Sequence, residues 1–260
     1  MNEDEKYLFD LNGYLILRDV VDPELVASCN AAIDHHDDQI ETAEREFEGS
    51  SKVLASPVRQ RWSDDMIRWN KPWREGFLAL LMHPRLEPYL TEFLGSGYRM
   101  AYLPRLIMMD PGCAGHYLHG GRLDRQSFAT TYMCKFGKIY SSLLIVEFML
   151  ADEGPGDGGL ALVRGGHKAN FPIPQALRDC AAYQDHIVEV HAKAGDAVIF
   201  NEVTIHGTLA WRGQHQRRAL IYHYSPRYQS AHSVYHDITY PDYVADMTKE
   251  QQALLQPPQT

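Results

Sequence analysis

A chain of 260 residues is long enough to bury one large core, and 34 acidic against 25 basic residues give it a formal net charge of -9. That balance argues against a nucleic-acid partner, which needs a basic surface to displace counterions. No run approaches the roughly 18 apolar residues of a membrane span, and the start, MNEDEKYLFD, is acidic where a secretion leader is basic and then apolar. The expectation is a cytoplasmic protein with no membrane partner. Cys29, Cys113, Cys134 and Cys180 are spread without a C-x-x-C pair, so they read as buried thiols rather than a disulfide framework or a zinc knot.

In chain order, YLFDLNGYLILRDVV predicts a short helix, a turn at Asn12-Gly13 and a strand from Tyr14 to Leu17. The next segment, VDPELVASCNAAIDHH, predicts a helix capped by Asp22 with Pro23 in its first turn. Its apolar face, Leu25, Val26, Cys29, Ala32 and Ile33, should pack on a sheet. Residues 37–60 are charged, then small and polar, and are the least structured part. RWSDDMIRWNKPW holds three of the four tryptophans, read mainly as joining helices to sheet, with a pocket wall as the alternative. GFLALLMHPRLEPYLTEFLG predicts two short helices broken near Pro84.

From residue 98 the sequence turns to short β-rich runs: YRMAYLPRLIMM, KIYSSLLIVEFML, HIVEVHAK, DAVIFNEV and RALIYHYS. Five such runs, with the helices gathered in front, predict a mainly β fold, a double-sheet barrel or jelly roll braced by N-terminal helices. The expected organisation is one domain over residues 1–260, helix-rich over 1–97 with a β core over 98–228. There is neither strand-helix alternation nor a Gly-rich phosphate loop after a strand.

The stretch GHYLHGG, residues 115–121, sets His116 and His119 three apart, and His206 follows DAVIFNEVT. Neutral imidazoles suit a divalent first-row metal, and such a fold draws ligands from distant strands. Thr208 lies two residues beyond His206, and Arg217 opens RALIYHY eleven residues beyond it. An inward arginine at a strand start can hold a carboxylate through two parallel charge-assisted bonds, with the threonine hydroxyl adding a third. Elsewhere the residues select less sharply. Arg164, His167 and Lys168 could meet an anionic substrate or simply belong to a Gly-rich connection; Tyr132, Lys135 and Tyr140 could reach a pocket. HYSPRYQSAHSVYHD is more polar than a core strand and reads as a pocket wall, a lid or a subunit contact.

The chain resembles the phytanoyl-CoA dioxygenase family of non-haem iron, 2-oxoglutarate-dependent oxygenases. The residues that carry the likeness are FDLNGYLILRDVVDPELV, DEGPGDGGLALVRGGHK at 152–168, and AGDAVIFNEVTIHGTLAWRGQHQRRALIYHYSP at 194–226. The resemblance implies a double-stranded β-helix, cupin-like, with iron(II) held by His119 and His206, and with 2-oxoglutarate held by Arg217 and assisted by Thr208. It implies oxidation of a C–H bond, probed first as hydroxylation, with O2 consumed and succinate and CO2 released. The family's acidic ligand position falls on Gly121, so the likeness fails at one ligand. Chloride could take the vacant place, as in the related radical halogenases. Another carboxylate could reach the metal, Asp124 and Glu202 being the candidates, or iron could work with two histidines and water. A different metal would recruit His116, and a barrel without catalysis, binding a small acid or scaffolding a partner, is the alternative from another class. Gly120 and Gly121 could also serve only to turn the chain. A zinc hydrolase is disfavoured, for no strong zinc motif accompanies the histidines. The expected partner is a small molecule, anionic or partly apolar, bound by a monomer or homodimer.

Overall fold

Local signals at the amino end are obeyed residue by residue. Asn2 accepts from the Glu5 amide while Glu5 accepts from the Asn2 amide, opening α1 (Glu3–Asn12); Gly13, in the left-handed region, ends it. Asp22 accepts from the Leu25 amide and opens α2 (Pro23–His35), with Pro23 where no amide donor is needed. The computed structural model describes residues 1–64, 66–121, 131–229 and 242–256. The remaining helices are α3 (Glu75–Leu80), α4 (Glu87–Leu94), α5 (Gln175–Arg178) and α6 (Lys249–Leu254). None of the described helices is long and apolar enough to cross a membrane.

The strands are β1 (Tyr14–Leu17), β2 (Glu41–Thr42), β3 (Arg61–Ser63), β4 (Arg99–Met100), β5 (Arg105–Met109), β6 (His116–His119) and β7 (Tyr132–Lys135). After them come β8 (Lys138–Ser141), β9 (Leu144–Met149), β10 (Gly159–Val163), β11 (Ile187–Glu189), β12 (Ala197–Asn201), β13 (His206–Leu209) and β14 (Arg217–Ser225). They form a major antiparallel sheet in the order β1-β12-β9-β14-β5-β3-β2, with β4 beside β14, and a minor sheet in the order β11-β10-β13-β6. β7 and β8 make a separate hairpin. This is the double-stranded β-helix, a jelly roll of two facing sheets.

Two apolar layers hold it. Ile145, Met149, Leu160, Leu162, Val198 and Phe200 meet between the sheets. A larger cluster joins helices to the outer face of the major sheet, where the Tyr222 hydroxyl donates to the Phe77 carbonyl and the Tyr224 hydroxyl to that of Leu81. The N-terminal helices therefore brace one sheet, as expected.

The helix-rich segment 1–97 also supplies β1, β2 and β3 to the major sheet. Two expectations change. The run from residue 98 to 109 is two strands, β4 and β5, separated by a stretch containing Pro104, which has no amide to give a ladder. KIYSSLLIVEFML is likewise two strands, since β8 pairs with β7 and β9 with β12 and β14.

Candidate functional site

His119 closes β6 and His206 opens β13, and the two residues are cross-strand partners with ring centroids 4.3 Å apart. A bulge explains why His116 lies with them. Thr208 pairs with His116 although only one residue separates it from His206, whereas two separate His116 from His119. The extra residue breaks the alternation of β6 and brings both histidines to the cavity. Tyr117 and Leu118 pack instead with Leu54, Ala161 and Ile205.

Each of the paired histidines is fixed through its second nitrogen. His206 Nδ1 lies 2.7 Å from the Thr204 carbonyl oxygen, and His119 Nδ1 lies 3.1 Å from that of Tyr117. Donation from Nδ1–H to a carbonyl selects the tautomer with a lone pair on Nε2, the form a metal requires. His116 stacks on His119 with centroids 4.3 Å apart. Burial, and then the neighbouring His119 and His206, hold His116 far below the usual imidazole range, so its ring stays neutral.

The cavity between the sheets measures about 650 Å3. Its wall is apolar at Ile107, Ile145, Leu160, Phe200 and Ile221, and its floor carries Thr208, Arg217 and Glu147. At the rim are Glu41, Glu44, Arg45 and Trp62, with the Arg105 guanidinium 4.9 Å over the Trp62 ring. This site size and mixture of apolar wall and few polar groups suit a small organic ligand.

Arg217 is only 1% exposed, yet it is not a free fork. Its Nη2 donates to Glu147 Oε1 at 2.7 Å, and its Nε lies 2.8 Å from Glu153 Oε1, an ion pair bent too far for a good hydrogen bond. Burial pushes Glu153 up to about 7, with Arg217 opposing and Glu147 adding to the rise. The expected two-bond grip on a ligand carboxylate is therefore already partly taken by internal carboxylates.

Gly121 does not line the cavity. Its φ is +83°, and an added Cβ would meet Ile205 Cγ1 at 3.4 Å, on the side of the apolar cluster behind the minor sheet. Gly120 has φ +95°, and a Cβ there would stand 2.8 Å from the Thr204 carbonyl oxygen. The pair turns the chain in a left-handed conformation that suits glycine.

Among the described residues no three His, Cys, Asp or Glu side chains come together to hold a metal. Neither His116 nor Glu202 therefore completes the histidine pair, although both line the cavity. Asp124 lies outside the described residues. Among the described residues, the donor set fits a metal held by two imidazole nitrogens.

Other residues singled out from sequence serve the frame. Tyr132 donates to Asp10 at 2.6 Å, Lys168 pairs with Asp10 at 2.8 Å, and His167 is fully buried against the Asp10 carbonyl. Arg164, Lys135 and Tyr140 do not line the cavity. Trp69 stacks on His36, which caps α2, and Trp73 on His35, its last residue, whereas Trp62 is a wall residue. Of the polar stretch after β14's apolar half, His223 lines the cavity and residues 230–241 lie outside the described residues.

Glu147 and Glu153 escape a reading based on histidine spacing. One signal was available: Glu147 is the single charge inside LLIVEFML, and a charge in a fully buried strand needs a partner.

Residues 9–219 match the family model described as phytanoyl-CoA dioxygenase (PhyH). The chain belongs to this family. Phytanoyl-CoA dioxygenase family members are non-haem iron, 2-oxoglutarate-dependent oxygenases, and the chain is an enzyme of that class. Comparison with curated proteins gives no match. Among solved structures, HygX from Streptomyces hygroscopicus, with nickel, 2-oxoglutarate and hygromycin B bound, is similar with a TM-score of 0.70 at 21% identity, over 88% of this chain and 89% of that one. SnoN, described as a non-heme alpha ketoglutarate dependent epimerase from nogalamycin biosynthesis, gives 0.62 at 17%, over 92% and 91%. AviO1 from Streptomyces viridochromogenes Tue57 gives 0.60 at 17%, over 85% and 92%. At these identities the similarity establishes the shared jelly-roll fold.

Proposed function

We propose that this phytanoyl-CoA dioxygenase family member holds iron(II) through Nε2 of His119 and His206, binds 2-oxoglutarate toward Thr208 and Arg217, and oxidises a C–H bond of a small organic molecule. The observation that carries the reading is the histidine pair itself: two rings 4.3 Å apart, each with Nδ1 turned to a backbone carbonyl, at the wall of a 650 Å3 cavity. When bound, iron would activate O2, the oxidant, with two electrons supplied by 2-oxoglutarate, which leaves as succinate and CO2, and two by the substrate C–H bond.

The protein's own residues do the positioning. His119 and His206 present fixed lone pairs, Ile107, Ile145, Phe200 and Ile221 exclude water, and the cavity would hold the target carbon beside the metal for hydroxylation. HygX and SnoN have been solved with hygromycin B and nogalamycin RO, both small molecules, which supports a small organic substrate here. The rim, with Glu41, Glu44, Arg45 and Arg105, offers charges of both signs to its polar groups.

The test is anaerobic addition of 2-oxoglutarate to the iron(II)-loaded protein. A visible metal-to-ligand charge-transfer band that disappears on admitting O2, with succinate formed, is expected; no band overturns the reading. Radical halogenation is a second reading, favoured by the lack of a third protein donor among the described residues. It requires the band to shift with chloride and product halogenation to follow halide concentration.

A further inference from the structure

The strand that carries Glu147 is otherwise apolar and buried along its whole length, and Glu147 itself is 3% exposed. A carboxylate survives there because Arg217 of the neighbouring strand β14 meets it at 2.7 Å. Glu153, from the loop after β9, occupies the other edge of the same guanidinium and also accepts from the Leu160 amide at 3.2 Å. Gly159 makes this packing attainable: a Cβ on it would stand 2.2 Å from Glu153 Oε2 and 3.0 Å from Arg217 Nε. Two carboxylates thus surround one guanidinium. With both ionised, the floor of the cavity presents a net negative charge to an arriving dicarboxylate.

Of the three guanidinium nitrogens, Nη2 and Nε are engaged by Glu147 and Glu153. A ligand carboxylate must use Nη1, or replace Glu147 on Nη2, and in either position it joins two carboxylates already present. Like charges at such distances in a buried site cannot all remain ionised, and the usual outcome is that one takes up a proton.

Resting on the proposed 2-oxoglutarate site, we propose that Glu147 is a specificity-determining residue of the Arg217 anchor, and that docking of the co-substrate's distal carboxylate is coupled to uptake of one proton by the Glu147–Glu153 pair. The proton comes from solvent and neutralises one glutamate. Arg217 is then left with one internal carboxylate and one from the ligand. Binding is strongest at low pH and weakens as pH rises, because above the pair's titration range the proton must be drawn from an ever scarcer supply.

Other titratable groups share the cavity wall: Arg105 on β5, His116 and His119 on β6, Glu202 after β12, His206 on β13 and His223 on β14. Glu41, Glu44 and Arg45 stand at the rim. Cys113, between β5 and β6, feels the Arg217 charge, but burial pushes its thiol up to about 12, so it stays neutral. Exchange of Glu147 alone separates its contribution from theirs.

The experiment is calorimetric titration of 2-oxoglutarate into the nickel(II)-loaded full chain, which binds without turning over, from about pH 6 to about pH 8.5 in buffers of different ionisation enthalpy. Wild type should lose affinity by up to about tenfold per pH unit in the upper part of the range and take up about one proton per ligand. Glu147→Gln should bind about tenfold or more tightly than wild type near pH 8, with the pH slope and the proton uptake lost. Its fold is checked by thermal melting, since Glu153 still pairs with Arg217. If wild type binds without a pH slope, or if Glu147→Gln keeps the slope, the coupling is overturned while the 2-oxoglutarate site stands. If both bind nickel but neither binds 2-oxoglutarate, the Arg217 anchor itself is wrong and the inference falls with it. Binding by Glu147→Gln alone supports the proposal in its strongest form.

Discussion

Replacing Arg217 by methionine tests how the cavity floor is held together. The side chain is 1% exposed, and its removal leaves Glu147 at 3% and Glu153 at 2% exposure with no cation between them. Breaking a buried ion pair by deleting one partner costs about 3–5 kcal/mol, since the remaining charge is neither solvated nor compensated. For a chain of this size that corresponds to a fall in melting temperature of about 6–20 °C. The loss should depend on pH with a defined sign. In the wild type Glu153 is already raised from 4.5 to about 7, so the folded state holds a proton more tightly than the unfolded one, and this group costs stability as pH rises from about 4.5 to about 7. Without Arg217, Glu153 loses the cation that opposes its rise and moves further up. The deficit of Arg217→Met should therefore grow above pH 7 and shrink as pH falls through about 4.5, where Glu153 is protonated in the folded chain and increasingly so in the unfolded one. Urea unfolding at several pH values measures it, and adding Glu147→Gln with Glu153→Gln should return most of the stability at neutral pH. A single Arg217→Met variant as stable as wild type near pH 8 would refute the reasoning. It follows that loss of activity on changing Arg217 is evidence of a role in the site only where the variant is shown to remain folded.

His119→Ala and His206→Ala should each abolish stoichiometric nickel(II) binding by calorimetry, whereas His116→Ala should change it by less than about tenfold, because its ring stacks on the pair without completing it. Gly121→Asp should cost about 1–2 kcal/mol for its left-handed backbone and should not tighten metal binding, as its Cβ heads toward Ile205; tighter nickel binding would contradict this. Gly159→Ala should lower the melting temperature by several degrees, about as much as a 2 kcal/mol defect, by displacing Glu153 from Arg217. A thiol reagent should label one cysteine quickly in the native protein and four after unfolding. Cys134 is exposed, while burial pushes the Cys29 thiol up to about 12, Cys113 to about 12 and Cys180 to about 11.

The elements that spoke most clearly in the sequence were those built on one local rule. Pro23 behind Asp22, Gly13 after α1 and the apolar run of β12 were each legible because a cap or a strand pattern suffices to specify them. The minor sheet was nearly silent. β10 begins at a positive-φ glycine, β13 is interrupted by Gly207, and β6 is half histidine with a bulge, so none shows clean alternation. These strands carry the candidate metal ligands, and polar, irregular sequence is what such a face requires. His119, His206, Thr208 and Arg217 could be placed through motif spacing, and the structure gathers all four around one cavity. The company Arg217 keeps could not, since Glu147 and Glu153 meet it only through the pairing of β9 with β14.

The rim has a different origin from the floor. Glu41, Glu44, Arg45, Phe47 and Trp62 come from the segment around β2 and β3, at the far edge of the major sheet, while the histidines and Arg217 come from β6, β13 and β14. The rim and the histidine and arginine positions thus come from different stretches of chain. The two are joined where the Phe47 ring lies 4.9 Å from that of His116 and the Phe47 carbonyl accepts from the Tyr117 amide, so a change in residues 37–63 reaches β6 as well as the rim. In a barrel arranged in this way, drift in one border is felt by the strand that carries His116 and His119.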